Sequence, residues 1–224
     1  MRHKKIKISV VILFVLSLQA FQSQTVKDID GNVYKTVTIG TQIWMTENLK
    51  TTKYNDGTAI PLVTDDAAWA NRDSIALTTP AYYWYDNDTT CKNTYGALYN
   101  GYTVKTGKLC PSGWHVPTDA EWSELTNYLG GEGVAGGKLK EAGITHWETP
   151  NRGATNETDF NALPGGYRFM DGTFQLVNGG GNWWSSTDYN TERTWFRGMN
   201  NNIEFVIKGP LEKPNGVSVR CVKD

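Results

Sequence analysis

The clearest pattern of apolar and polar positions lies in residues 109–130. Apolar residues recur there at helical spacing, at Trp122, Leu125 and Leu129. Thr118 is followed three residues later by Glu121, which is the arrangement of a capping box at a helix start, and the glycine pair after Leu129 favours a helix end. The pattern therefore predicts one central helix over residues 118–129, preceded by a turn and a short strand.

Strand patterns occupy much of the remaining chain. Apolar and polar residues alternate at 33–39 and at 217–222, as is typical of half-buried strands. The dipeptide Asp30-Gly31 before the first of these runs indicates a hairpin turn. Residues 82–85 form a continuous aromatic block, which favours a buried strand.

Two further segments carry weaker helical signals. Residues 64–69 predict a short capped helix. The glycine-rich run at 130–137 predicts a connection, followed by one or two helical turns over 137–141. Neither a fixed-period repeat nor a linker divides the chain, so we expect one α+β domain whose C-terminal half is rich in strands.

The first residues have the pattern of a targeting segment. Arg2 and three lysines precede an apolar run at residues 8–18, which is shorter than the roughly 20 residues that a membrane helix needs. The pattern predicts a signal peptide over residues 1–24, and cleavage after Ala20 or after Ser23 would both be acceptable. We therefore expect a secreted protein, periplasmic or extracellular, with a domain at 25–224 and no membrane span.

Charge argues against nucleic acid as a partner. Removal of the predicted signal peptide takes four of the 22 lysines and arginines and none of the 23 acidic residues, which leaves a net charge of about −5. Nucleic-acid binding depends on cations that neutralise phosphates, so this chain is a poor candidate for it.

No catalytic motif is present. The chain after the signal peptide has only His115 and His146 as histidines, and it lacks both the HExxH zinc motif and the GxSxG nucleophile elbow. A glycosidase needs two carboxylates across a cleft. A chain with 23 acidic residues offers such candidates in any case, and here they are Glu47, Asp86, Glu148, Asp159 and Asp188. We expect a protein that is not an enzyme.

Two short acidic runs offer oxygen atoms to a hard cation such as calcium. The run at 28–32 has part of a calcium-loop pattern but lacks the remaining ligands, so a hairpin turn explains it better. A polar turn after the aromatic block likewise explains residues 86–88, with calcium as the weaker alternative. We expect no cofactor.

The stretch CPSGWHVPTDAEW at residues 110–122 resembles the signature of the Fibrobacter succinogenes major paralogous domain, a family of secreted bacterial proteins. Five other stretches agree with the family in order, at residues 28–50, 95–104, 160–168, 183–187 and 217–224. The family is similar in turn to the formylglycine-generating-enzyme type of C-type-lectin-like fold. The resemblance implies that fold, but a fold does not imply a function. The paired copper-binding cysteines of those enzymes are absent, so their oxidation chemistry is not carried over.

The resemblance also bears on the three cysteines, because an exported chain meets oxidising conditions. Cys110 and Cys221 both lie in stretches that match the family, which implies a disulfide between them. Cys91 is an addition in a polar loop, and we expect it to be an exposed free thiol, with an intermolecular or regulatory role as the alternative. Gly101 is a second departure, since relatives tend to carry tryptophan there.

Residues 178–202 combine six asparagines with several aromatic residues, a mixture that suits carbohydrate or protein recognition. We therefore predict a non-catalytic binding module for glycans or other surface polymers. The alternatives are an adhesin or assembly protein that recognises another cell-surface protein, and an unrecognised carbohydrate-active enzyme. The predicted ligand-binding residues are Trp184, Asp188, Tyr189, Asn190, Trp195, Arg197, Asn200, Asn201 and Asn202. Of these, the two tryptophans have core packing as an alternative role.

Overall fold

The computed structural model describes residues 24–65 and 78–224. Residues 1–23 of the predicted signal peptide and most of the predicted helix at 64–69 lie outside the described residues. In the described part of the chain, no helix is long and apolar enough to cross a membrane.

A five-stranded antiparallel sheet contains both ends of the described chain. Its strands are β1 (Thr25–Lys27), β2 (Val33–Ile39), β3 (Gln42–Met45), β6 (Trp114–His115) and β13 (Val222–Lys223), in the order β1-β2-β3-β13-β6. The last strand thus lies between β3 and β6, where Val222 pairs with Trp44 on one side and with His115 on the other.

The second sheet is larger and holds most of the C-terminal half. Its strands are β4 (Tyr82–Tyr83), β5 (Leu98–Asn100), β7 (Gly165–Arg168), β8 (Phe174–Val177), β9 (Gly180–Asp188), β10 (Arg193–Asn200), β11 (Ile207–Glu212) and β12 (Gly216–Val217). Their order is β11-β10-β9-β7-β12-β5-β4, and β8 pairs with β7. Strand β10 is antiparallel to both β9 and β11, and six residue pairs join it to each of them. The predicted strand-rich C-terminal half is therefore confirmed.

In residues 24–65 and 78–224, four α-helices accompany the sheets. They are α1 (Lys92–Tyr95), α2 (Gly101–Lys105), α3 (Asp119–Tyr128) and α4 (Glu132–Leu139). Helix α3 confirms the predicted central helix, because Thr118 accepts a hydrogen bond from the amide of Glu121 while the Glu121 carboxylate accepts one from the amide of Thr118. Its apolar stripe is buried against the sheets, with Trp122 fully enclosed.

The predicted connection at 130–137 is wrong from residue 132 onward, because α4 begins at Glu132. Glycine disfavours helix by propensity, but two glycines here allow a close packing contact. A Cβ atom on Gly136 would lie 2.6 Å from the carbonyl oxygen of Phe205, and one on Gly137 would clash with the carbonyl of Gly153. Tertiary packing therefore decides the conformation of this segment, and only glycine fits the contact.

The Asn48 side chain joins four parts of the chain in the core. Its amide nitrogen donates to the carbonyl of Tyr95 at 2.9 Å and to the Ser218 hydroxyl at 3.2 Å. Its oxygen accepts from the Trp183 indole at 2.8 Å and from the Arg220 guanidinium at 2.9 Å. All four hydrogen-bonding positions of the amide are therefore used.

Arg220 is fully buried beside Asn48. Its guanidinium also donates to the carbonyls of Phe160 and Asn161, and it lies 4.3 Å from the centroid of the Phe160 ring. Burial lowers the pKa of Arg220 to about 9, with the charge of Glu47 acting in the opposite direction. Carbonyl oxygens and aromatic faces thus take the place of a direct carboxylate partner.

The predicted disulfide between Cys110 and Cys221 is confirmed. It ties the segment before α3 to the last strand. Cys91 is a free thiol, as expected, but it is half-buried rather than exposed. Burial raises the pKa of Cys91, and the nearby carboxylates of Asp88 and Asp86 raise it further. A raised pKa means less thiolate, which argues against a reactive role.

We predict that Thr118→Ala lowers the free energy of unfolding by about 1 kcal/mol, because it removes the N-cap oxygen of α3. Trp122→Ala should cost about 3–5 kcal/mol, because the ring is fully buried against Trp44 and Phe160. Urea titrations of both variants measure the two losses. Equal, small losses would show that the helix or its buried face is assigned wrongly.

A second prediction concerns His115, whose Nδ1 lies 2.6 Å from Asp224 and whose Nε2 lies 2.8 Å from Glu121. Burial would lower the pKa of His115, but the hydrogen bonds to these carboxylates outweigh it and raise the pKa. A raised folded-state pKa means that the protonated ring stabilises the fold below about pH 6.5, and that this contribution is lost as pH rises through the folded-state pKa.

The stability difference between the natural protein and the His115→Gln variant should therefore shrink from pH 6 to pH 9. We expect a difference below about 1 kcal/mol even at pH 6, because the pair is partly exposed to solvent. Urea titrations at the two pH values measure it. A difference that stays constant or grows with pH would contradict the assignment.

Candidate functional site

The predicted ligand-binding residues do not form one surface. Asp188, Tyr189 and Asn190 lie at one end of the β9–β10 ladder, whereas the asparagines at 200–202 lie at the other end. Strand β10 separates the two groups, and at about 3.3 Å per residue they are on the order of 20 Å apart. A single sugar ring cannot contact both.

The first group is largely committed to contacts within the protein. Asp188 pairs with Lys105 at 3.0 Å and with Lys213 at 3.1 Å, and Asn190 accepts hydrogen bonds from two backbone amides of its own loop. Tyr189 is 51% exposed and packs edge-on against half-buried Trp195, with 5.0 Å between ring centroids. Tyr189 is therefore the most accessible aromatic residue of this group.

Two of the predicted residues are buried. The expected exposure of Arg197 is wrong, whereas Trp184 has the core role that was its alternative. The Trp184 indole is enclosed and donates to the carbonyl of Tyr99 at 2.7 Å. Arg197 is 0% exposed, because alternation along β10 turns it toward α3, where it pairs with Asp119 at 2.9 Å. The strand register turns Arg197 toward α3, on the face opposite to Phe196. Trp184 lies on the same face as Phe196 and is buried there by packing against the core.

In the second group, Asn200 lines a cavity. Asn201 donates to the carbonyl of Thr149 at 3.1 Å, and Asn202 is exposed.

The end of β10 is held by buried Lys140, whose ammonium donates to the carbonyls of Arg152, Asn200 and Ile203 at 2.8, 3.0 and 2.8 Å. Burial lowers the pKa of Lys140 to about 8. This anchor fixes the backbone from which the Asn200 side chain extends.

The cavity that Asn200 lines is a groove of about 210 Å³ on the larger sheet, called the β9–β11 groove below. Its walls are apolar, with the aromatic residues Tyr167, Phe169 and Phe196 and the aliphatic residues Leu176, Ile207 and Leu211. Asn182 and Asn200 supply its polar groups. The volume is below the roughly 300 Å³ at which pockets for drug-sized ligands begin, so the groove suits a single ring.

The two asparagines are placed by an unusual cross-strand pattern. Asn182 on β9 lies opposite Gly198 on β10, and Asn200 on β10 lies opposite Gly180 on β9. Each amide thus lies over a glycine: a Cβ atom on Gly198 would be 2.9 Å from the Asn182 oxygen, and one on Gly180 would be 2.7 Å from the Asn200 oxygen. The glycines leave the space that the amides occupy.

Neither amide has a hydrogen-bond partner within residues 24–65 and 78–224. The Asn182 residue is only 9% exposed, and the part of it that remains accessible lines the groove. An unpaired, mostly buried amide in a groove with apolar walls has the character of a ligand contact.

Leu176 adds a second unusual feature to the groove. It lines one wall, is 46% exposed and has a backbone φ of +61°. This left-handed conformation is unfavourable for a residue with a bulky side chain, and such strain is concentrated at functional sites.

A second cleft, of about 450 Å³, lies between β2 and the segment at 156–161 and is called the Glu47 cleft. It brings together Glu47 and Asp159, two of the five acids named as glycosidase candidates, with Lys35 beside them. The other three acids do not line it. This cleft is where the enzyme alternative would have to act.

The acidic runs considered for calcium hold turns in the protein. Asp28 accepts hydrogen bonds from Asn32 and from the Tyr34 hydroxyl, so the hairpin turn is confirmed. Asp88 accepts from the amide and the hydroxyl of Thr90. Within the part of the chain that the structure describes, no three histidine, cysteine or acidic side chains are grouped to hold a metal ion.

Sequence reasoning missed Asn182 and Phe196 as site residues. Asn182 was counted in the asparagine-rich region but was not separated from the loop residues. The available signal was the alternation in residues 180–184 and 196–200, which places an asparagine and a glycine on the same face of each strand. Only the register of the β9–β10 ladder shows that each asparagine lies opposite a glycine of the other strand.

The comparisons with known proteins agree with the motifs in the sequence. Residues 37–223 match the model of the Fibrobacter succinogenes major domain. No curated protein and no solved structure matches the chain. Because the match extends over most of the 224 residues, this chain belongs to the Fibrobacter succinogenes major domain family.

Proposed function

We propose that this protein is an exported, non-catalytic binding module that recognises a glycan in the β9–β11 groove. The observation that carries the proposal is the pair of amides, Asn182 and Asn200, which lie in a groove with apolar, partly aromatic walls and have no hydrogen-bond partner among the described residues. Export is supported by the sequence of the first 24 residues and by the disulfide.

The chemistry of the groove matches the two kinds of surface that a sugar presents. The C–H face of a pyranose packs on an aromatic ring such as Phe196 or Tyr167, because both surfaces are apolar. An amide side chain offers two donors and an acceptor with two lone pairs, which suits hydroxyl groups that both donate and accept. Asn182 and Asn200 are diagonal neighbours on adjacent strands, so one ring can reach both.

We also propose that the fold is C-type-lectin-like. Two observations support this: the resemblance of the sequence to that fold, and the pairing of the last strand with early strands in one sheet. In this arrangement the first sheet and α3 form the base, and the β9–β11 groove lies on the C-terminal half that carries recognition.

We predict that Asn182→Ala weakens glycan binding about five-fold to ten-fold, because one amide that hydrogen-bonds the sugar contributes about 1 kcal/mol. An array of plant, bacterial cell-wall and host oligosaccharides identifies the ligand, and calorimetric titration measures the loss. The melting temperature should change little, because the Asn182 side chain makes no hydrogen bond within the described residues.

The matched control is Asn202→Ala, which removes an exposed amide outside the groove and should leave binding unchanged. Tyr189→Ala tests the loop at the other end of β10. Loss of binding in Tyr189→Ala, with full binding in Asn182→Ala, would place the site at that loop and contradict the proposal. Capture of proteins but no oligosaccharide would support the adhesin alternative instead.

A further inference from the structure

On the strands around the β9–β11 groove, the charged side chains lie on the face away from the groove. All eight residues that line it are uncharged. On β10, Phe196 lines the groove while its neighbour Arg197 points to the opposite face, and on β11 Ile207 lines the groove while Lys208 points away. The strand period of two residues therefore assigns the cations to the face that packs against α3.

These cations are also committed to partners. Arg197 lies 2.9 Å from one carboxylate oxygen of Asp119, and Lys208 lies 3.0 Å from the other. Arg168, which follows Tyr167 on β7, is buried with its guanidinium over the rings of Tyr83 and Phe174, at 4.7 and 4.9 Å. None of the three can reach a ligand in the groove without breaking these contacts.

We propose that the β9–β11 groove selects an uncharged sugar unit and rejects one that carries a carboxylate. This inference rests on the proposed glycan function. A carboxylate that enters the groove loses water and meets apolar walls without a cation, and burial of an unpaired charge is costly. A neutral sugar exchanges its water hydrogen bonds for those of Asn182 and Asn200 at little net cost.

The depth of the groove is set by glycine, which makes Gly198 a specificity-determining position. A Cβ atom there would contact the Asn182 oxygen at 2.9 Å, and one on Gly209 would lie 3.2 Å from the Phe196 ring. The backbone of Gly198 does not need the left-handed conformation, so alanine is compatible with the strand. The same Cβ atom would lie 3.2 Å from the Phe196 ring. Both contacts are with side chains that line the groove and not with backbone, so Gly198→Ala displaces these side chains and changes the shape of the groove.

The test uses the full chain after signal cleavage and pairs of oligosaccharides that differ only in charge. Neutral glucan, xylan, mannan and galactan hexamers form the neutral set, and the glucan, mannan and galactan hexamers oxidised at C6 to carboxylates form the matched anionic set. Calorimetric titration should show binding to at least one of these C6-bearing neutral hexamers and at least ten-fold weaker binding to its oxidised counterpart.

Gly198→Ala should weaken binding of that neutral hexamer at least ten-fold. The matched control is Gly133→Ala on α4, where a Cβ atom would have nothing within 4 Å, and it should bind as the natural protein does. Melting curves of both variants check that the fold is kept.

Two outcomes would overturn the inference, and they differ in what else they overturn. Equal or tighter binding of the oxidised hexamer, still weakened by Asn182→Ala, would overturn charge selection and leave the groove as the glycan site. Binding that is insensitive to both Asn182→Ala and Gly198→Ala, or no binding of any hexamer, would overturn the proposed function together with this inference.

Discussion

The four hydrogen bonds of the Asn48 side chain are the interaction on which the rest of the fold depends. They connect α1, β9 and the segment between β12 and β13, and the backbone beside them adds a bond from Leu49 to Val219. Replacing Asn48 would leave several buried polar groups unpaired at once, which costs more than each bond contributes. Loss of the Asn48 amide would also remove a hydrogen-bond acceptor from the buried charge of Arg220, which adds to the cost.

The sequence stretches that identify the family meet around the side chains of Asn48 and Arg220. Asn48, Asn161, Trp183 and Arg220 come from four separate stretches, and the disulfide brings in a fifth through Cys110. For a closed loop of this length the chain-entropy model gives the disulfide about 4.7 kcal/mol as a ceiling. The family signature therefore specifies packing. Asn182, Phe196 and Asn200 of the groove lie outside those stretches, so membership of the family gives the fold but leaves the ligand to be determined from the groove.

Sequence patterns between neighbouring residues were sufficient to predict some structural elements and failed to predict others. The capping box at Thr118 and the hairpin at residues 28–32 depend on neighbours in sequence, so both could be predicted. Helix α4 forms against propensity, because its glycines allow contact with a distant segment. Arg197 is a residue type that often contacts ligands. Its burial depends instead on its register in β10 and on its ion pair with Asp119, which is far away in sequence. The groove was missed for the same reason, since it exists only once β9 and β10 are aligned.

The central claim is that the unpaired amides of the β9–β11 groove contact the ligand. An NMR titration of ¹⁵N-labelled protein with the neutral hexamer that binds tests it most directly, because each asparagine side chain gives its own pair of N–H signals. We expect the Asn182 and Asn200 side-chain signals to shift in proportion to occupancy, whereas those of Asn190 and Asn202 stay in place. Shifts centred on Asn190 and the backbone of Tyr189, with the Asn182 signals unchanged, would contradict it.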